Sequence, residues 1–318
     1  MNQVVETLLE SGEPSIRYRL LHQVLGKSKT DPEVQETQEQ IRSSPRVAQL
    51  LSQRDATGAI PYSAYAKWNG AHWVLSLLAD LGYPPGDASL VPLREQVLNW
   101  LLGSKHRSSI PTINDRVRRC ASQEGNALYA LLALGLSDER VDCLAHSLIS
   151  WQWPDGGWNC DRRPEAVNSS FMETLIPMRG LALHAKLTGE TTSKIAAQRA
   201  AEVFLSRRLF QRRRDGAVIA HDFLRLHYPC YWHYDILFGL KVLAEAGFVN
   251  DERCREALDL LEARRLPDGG FPAEARHYTK PNASSGRSLV DWGGVSKHRM
   301  NPFVTVDALY VLKEAGRL

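Results

Sequence analysis

The sequence predicts an all-α protein in which six helix pairs close into a double ring, and three observations carry that expectation. An apolar run ending in glycine recurs six times, at Gly26, Gly82, Gly135, Gly189, Gly247 and Gly316. Helices with one apolar face alternate along the chain with helices that are apolar nearly all round. No convincing period-two run of useful length is present, so strands are not expected.

Taken in order, the first outer helix is expected over Asn2–Ser11, and the run HQVLG closes its inner partner at Gly26. A glycine just past a helix end takes the left-handed conformation without a Cβ penalty, which is why it marks the stop. Ser137-Asp138-Glu139 and Asn250-Asp251-Glu252 put a capping residue first and acids in the first turn, as helix starts do. The helix after Ser137 shows Val141, Leu144, Ala145, Leu148 and Ile149 on one face; Ala196, Ala200, Val203 and Phe204 make a similar stripe. WVLSLLADLG, LYALLALG and ILFGLKVLAEAG instead have apolar residues on every side and belong in an inner layer. The stops lie roughly 50 to 70 residues apart, a spacing that helical-pair repeats show. Residues 1–318 are read as one such domain.

Outer and inner helices are joined by a recurring turn. In WQWPDGGWNCD (Trp151 to Asp161), Pro154 fixes its own φ and Asp155-Gly156-Gly157 makes a tight turn. Trp151, Trp153 and Trp158 surround that turn and are costly to leave in water. LPDGGF (Leu266 to Phe271) repeats the device, and RRDGAV (Arg213 to Val218) and RDATGAIP (Arg54 to Pro61) carry it in reduced form.

Composition removes several classes of function. With 39 basic and 36 acidic residues the net charge is +3, which gives no electrostatic case for nucleic acid. The basic run Arg207–Asp215 reads as a solvated helix end, with an anion-binding or peripheral membrane-surface patch as the sharper alternative. No run of 18 apolar residues exists to span a bilayer. The N-terminus lacks the basic start of a signal peptide. Five cysteines in 318 residues do not make a disulfide framework, so reduced thiols and a cytoplasmic location are expected.

The unit of outer helix, PDGGW turn and inner helix resembles the repeats of squalene and hopene cyclases and of protein prenyltransferase β subunits. The resemblance is specific at Trp151–Trp158 and Leu266–Phe271 and implies an α/α toroid, two nested rings of helices around a central cavity. It also implies a hydrophobic, isoprenoid-like small molecule as ligand. The D-x-D-D acid that protonates the substrate in the cyclases is absent, as is D-D-x-x-D. Gly293-Gly294-Val295-Ser296-Lys297 looks like the corresponding prenyltransferase segment. That family's zinc site is not carried over, because Tyr228 stands at its Asp position and an apolar residue near Val304 at its His position.

In such a ring the mouth is lined by the starts of the inner helices and the loops before them: Tyr62–Trp73, Arg118–Asn126, Trp158–Glu173, His221–Asp235 and Asp291–Asp307. Asp235, Asp307, Glu173 and His233 are the candidate acid–base residues, given burial that raises a carboxyl pKa. Trp68, His72, Trp73, Tyr228, Tyr231 and Trp232 are the candidate ligand-binding residues, since aromatic faces stabilise carbocations. Cys120, Cys160 and Cys230 each fall at or just before an inner-helix start. Thiolate, imidazole and carboxylate are what zinc takes, so Cys160, Cys230 and His233, with Asp161 or Cys120 fourth, are the expected ligands if zinc binds. A reactive thiolate and plain packing are the alternatives. Carbohydrate chemistry is the other enzymatic reading: Glu124, Glu173 and Asp235 would supply paired carboxylates and Trp68 and Trp158 stacking platforms. A non-catalytic ligand-binding or scaffold toroid is the third.

Overall fold

The computed structural model describes residues 2–279 and 286–318. Its helices are α1 (Asn2–Leu9), α2 (Pro14–Arg19, continued by a π turn over Leu20–Val24), α3 (Pro32–Ile41), α4 (Pro45–Leu51), α5 (Ala71–Leu81), α6 (Val91–Leu101) and α7 (Ser104–Ser108). The second half adds α8 (Ser122–Ala133), α9 (Glu139–Trp151), α10 (Phe171–Thr188), α11 (Thr191–Leu205), α12 (Ile236–Glu245), α13 (Arg255–Glu262) and α14 (Pro302–Glu314). Among the described residues the only sheet is a two-stranded hairpin, β1 (Thr112–Ile113) against β2 (Arg116–Val117).

The all-round apolar helices form a closed circuit. α5 packs on α8, α8 on α10, α10 on α12, α12 on α14, and α14 on α2 and its π turn. Tyr18 of α2 completes the circuit against the end of α5: its ring lies 2.5 Å from where a Gly82 Cβ would stand. The one-sided helices lie outside, each on an inner neighbour: α1 and α3 on α2, α6 on α5, α9 on α8, α11 on α10 and α13 on α12. The tightest inner contact is made by glycine. A Cβ on Gly125 of α8 would meet Pro177 N of α10 at 2.5 Å, and one on Gly180 would meet Gly125 O at 2.8 Å.

All six inner-helix stops have the left-handed φ that the sequence implies, from +63° at Gly135 to +83° at Gly247. The first of them ends a π turn rather than an α-helix. The basic run after α11 supports that helix end: Arg207 donates to Val203 O at 2.8 Å. Among the described residues no helix is long and apolar enough to cross a membrane.

The turn between outer and inner helix is the same object twice. Trp153 N–H donates to Gly157 O at 2.8 Å, and Leu266 N–H donates to Gly270 O at 2.9 Å. The next residue then engages a threonine in the following inner helix: Trp158 N–H donates to Thr174 Oγ1 at 3.2 Å, and Phe271 N–H donates to Thr305 Oγ1 at 2.9 Å. Trp158 and Phe271 are fully buried. The Trp158 indole also donates back to Leu148 O of α9, so one side chain ties both helices of a pair.

Candidate functional site

The starts of the inner helices gather at one end of the ring, and the loop before α12 is the most unusual stretch there. Asp235 is the N-cap of α12. Its Oδ1 accepts from Phe238 N–H at 2.7 Å, and its Oδ2 accepts from His227 N–H at 2.9 Å and lies 2.7 Å from His227 Nδ1. Both residues are buried. Burial alone would lower the His227 pKa, but the Asp235 carboxylate reverses this and the net shift is upward. Among the described residues the dyad's far nitrogen, His227 Nε2, has no hydrogen-bond partner.

Three more buried polar atoms in the same short loop have no partner among the described residues, Tyr228 Oη, Trp232 Nε1 and His233 Nδ1, while the Tyr231 hydroxyl lies beside Ser288. Burying a donor without a partner costs about 1–3 kcal/mol, so native proteins hold few such atoms. Tyr231 also adopts φ +51°, a left-handed value that L residues with bulky side chains rarely take. Strain and unpartnered donors coincide here, as they do where a protein is organised around a ligand.

Aromatic rings surround this loop. Trp68 stacks on Tyr231 with centroids 3.9 Å apart and meets Trp73 edge-on at 4.7 Å. His72 lies edge-on to Trp73 at 4.7 Å, and neither of its ring nitrogens has a partner among the described residues. Trp68 Nε1 likewise has no partner among the described residues. Trp232 stacks on His233 at 3.9 Å, which in turn stacks on His277 at 3.7 Å. Burial first, and the neighbouring imidazoles second, push His233 down to about 3 and His277 down to about 4. His72 is pushed down to about 3, mainly by burial.

Five of the six candidate ligand residues are contiguous, since Trp68 meets His233 edge-on at 5.9 Å, and one stands apart. Trp68, His72, Trp73 and Tyr231 make one cluster and Trp232 belongs to the histidine stack. Tyr228 faces elsewhere, stacked on Phe303 at 4.5 Å.

The four candidate acid–base residues are not gathered either. Asp235 and His233 share the loop just described. Asp307 lies deeper, ion-paired to Arg19 and to Lys241 Nζ, the latter at 2.8 Å. Beside it Arg179 joins Asp80 and Glu245 at 2.7 and 2.6 Å. These groups lie by a cavity of about 370 Å³ at the opposite end of the ring, where the inner helices finish. Three cations face three acids there, and the helix C-termini complement the cations.

Glu173 belongs to a third place. Cys160 Sγ is 3.7 Å from Glu173 Oε1, and Cys120 completes a group whose ligand atoms all lie within 4.8 Å of one another. A parallel backbone bridge between Arg118 and Asn159 sets the two cysteine-bearing segments side by side. Ser122 N–H donates to Glu173 Oε2 at 3.0 Å. Burial raises the Glu173 carboxyl pKa. The contact with Cys160 lowers the Cys120 thiol, and the same contact raises that of Cys160.

Of the zinc ligands expected from the sequence, Cys160 and the reserve Cys120 are here, and Cys230, His233 and Asp161 are not. Cys230 is held beside His227 O at 3.7 Å with its thiol raised by burial, and Arg163 engages the Asp161 carboxylate at 2.6 Å. Glu173 was legible only as a carboxylate; its partnership with two thiols depends on packing between repeats. Nothing in the sequence singles out His277, which lies between α13 and α14 but upstream of the expected mouth stretch Asp291–Asp307.

No family model and no curated protein matches this sequence. Among solved structures, the type II terpene cyclase MstE from Scytonema is similar. In complex with merosterolic acid A it is 16% identical, with a TM-score of 0.27 and coverage of 86% of this chain and 96% of that one. In complex with geranylgeranyl dihydroxybenzoate it is 17% identical with a TM-score of 0.26, and without ligand 16% identical with a TM-score of 0.28 over the whole of both chains. Scores this low carry no weight for fold or activity.

Proposed function

We propose that this chain, read as one domain over residues 1–318, binds a small hydrophobic, isoprenoid-like molecule at the inner-helix-start end of the ring and transfers a proton there through His227 and Asp235. The observation that carries this is the run of unpartnered buried polar atoms over His227–His233, set among aromatic faces. The Trp232 N–H and the buried imidazoles suit an oxygen-bearing head, and the rings of Trp68, Tyr231 and Trp232 suit an apolar body or a developing cation. His227, oriented by Asp235 and with Nε2 free, has the form of a general acid or base. In this reading it would supply the proton that the absent D-x-D-D acid supplies in the cyclases the sequence resembles. A cytoplasmic location, inferred from cysteine usage, stays part of this reading.

The ligand is assigned to this end and not to the cavity at the other, whose salt bridges are a poor match for an isoprenoid chain. Carbohydrate hydrolysis has less support because its carboxylates are engaged: Glu124 by Arg119 at 2.9 Å, Asp235 by His227, and Glu173 by the cysteine pair.

Tryptophan fluorescence and thermal shift with geranylgeraniol, farnesol and cello-oligosaccharides test the proposal. Saturable quenching and stabilisation by the prenyl alcohols, weakened at least tenfold in Trp68→Ala and Tyr231→Ala, is expected. Equal or stronger responses to the oligosaccharides would overturn it.

A further inference from the structure

We propose that Cys120, Cys160 and Glu173 form a transition-metal site, with zinc the best-fitting ion and one coordination position left open. This goes beyond the ligand reading above and does not depend on it.

The geometry fits in three respects. Two donors bound to zinc at about 2.3 Å for sulfur and about 2.0 Å for oxygen stand about 3.5 Å apart along a tetrahedral edge. Cys160 Sγ and Glu173 Oε1 are 3.7 Å apart, and all three donor atoms lie within 4.8 Å of one another. No large movement is needed to close them on one ion.

The donors also come from rigid and separate places. Glu173 is in the first turn of α10, Cys120 lies just before α8, and Cys160 sits in the loop after the Trp158 staple. α8 and α10 pack through Gly125 and Gly180 without room for a Cβ, so the distance between the two helices is fixed. The backbone bridge from Arg118 to Asn159 fixes the third segment.

A supporting contact is present as well. Metal-bound carboxylates are held by a hydrogen bond to the oxygen that does not ligate. Ser122 N–H holds Glu173 Oε2, leaving Oε1 turned to the thiols. Two sulfurs and one oxygen select zinc over magnesium or calcium, which take all-oxygen shells. Three protein ligands in a half-buried setting leave the fourth position to water or to an incoming molecule, the arrangement of a catalytic rather than a structural zinc site.

The test starts with untagged full-length protein, prepared under reducing conditions and analysed for metals. About one equivalent of zinc per chain is expected, as isolated or after reconstitution and desalting. Cobalt(II) added to stripped protein should give thiolate charge-transfer absorption and the visible bands of a tetrahedral ion. Cys120→Ser and Cys160→Ser should each lose about half of the charge-transfer intensity and weaken zinc at least 100-fold, and the double variant should lose the charge-transfer band. Glu173→Gln should weaken it about tenfold, while Cys143→Ser, an exposed control on α9, changes neither.

Less than a tenth of an equivalent together with a featureless cobalt spectrum in the parent protein would overturn the proposal, whether or not the variants fold. So would full zinc binding in both serine variants. Prenyl-alcohol binding measured on the metal-stripped protein keeps this result separate from the ligand reading.

Discussion

At the scale of single residues, the mouth is distinguished by imidazoles buried in their neutral form. His72, His233 and His277 are held at about 3, about 3 and about 4. In the unfolded chain each takes up a proton near 6.5. Between those values the unfolded state binds more protons, so each removes stability as pH falls. His227 acts in the opposite sense. Its raised value gives a contribution that is complete below about 6.5 and is lost as pH rises through the folded pKa. The three depressed imidazoles outweigh His227 and Glu173, whose raised values act in the opposite sense, and a net loss of stability from about pH 7 to about pH 4.5 is expected, read by urea denaturation. His72→Gln should flatten that slope; an unchanged slope would show that His72 does not carry its share. The residue types of the mouth were visible in the sequence, but their partners were not. That Asp235 would serve His227 depends on how one loop folds back on itself, and that Glu173 would serve two cysteines depends on segments from different repeats meeting.

At the scale of elements, local chemistry was enough. The six glycine stops and the alternation of one-sided and all-round helices were legible because each depends on residues within a turn or two. The π turn over Leu20–Val24 was not, since nothing in LLHQV distinguishes it from an α-helical end. The PDGGW device was read as a staple, and its bonds show how it works. The indole of Trp158 donates to the outer helix while its backbone engages the inner one. Trp158→Ala should therefore cost about 3–5 kcal/mol, the loss for a large buried aromatic. Chemical denaturation measures it. A melting temperature within about a degree of the parent would remove the staple from the account of this fold.

At the scale of the whole molecule, the ring closes through charge. Arg19 in the first inner helix and Asp307 in the last are paired although 288 residues separate them, and Lys241 shares the same carboxylate. Both members of the closing pair are buried. The sequence showed that six pairs would close, but not that ions would meet inside, because a lone Asp in an apolar helix reads the same whether or not a cation waits for it. The closed circuit has a topological consequence. A ring of repeats has no intrinsic first member, and the order in which ribosomes make them is an accident of where the gene begins. Val4 of α1 already lies within 3.4 Å of the Gly269 Cβ position, so the outer layer also bridges the chain's two ends. A circular permutant, with the old termini joined by a short flexible linker and new ones opened at the exposed turn Gly189–Glu190, should fold to the same ring. Its helical circular dichroism should match the parent, with any change confined to the rate at which the last pair docks.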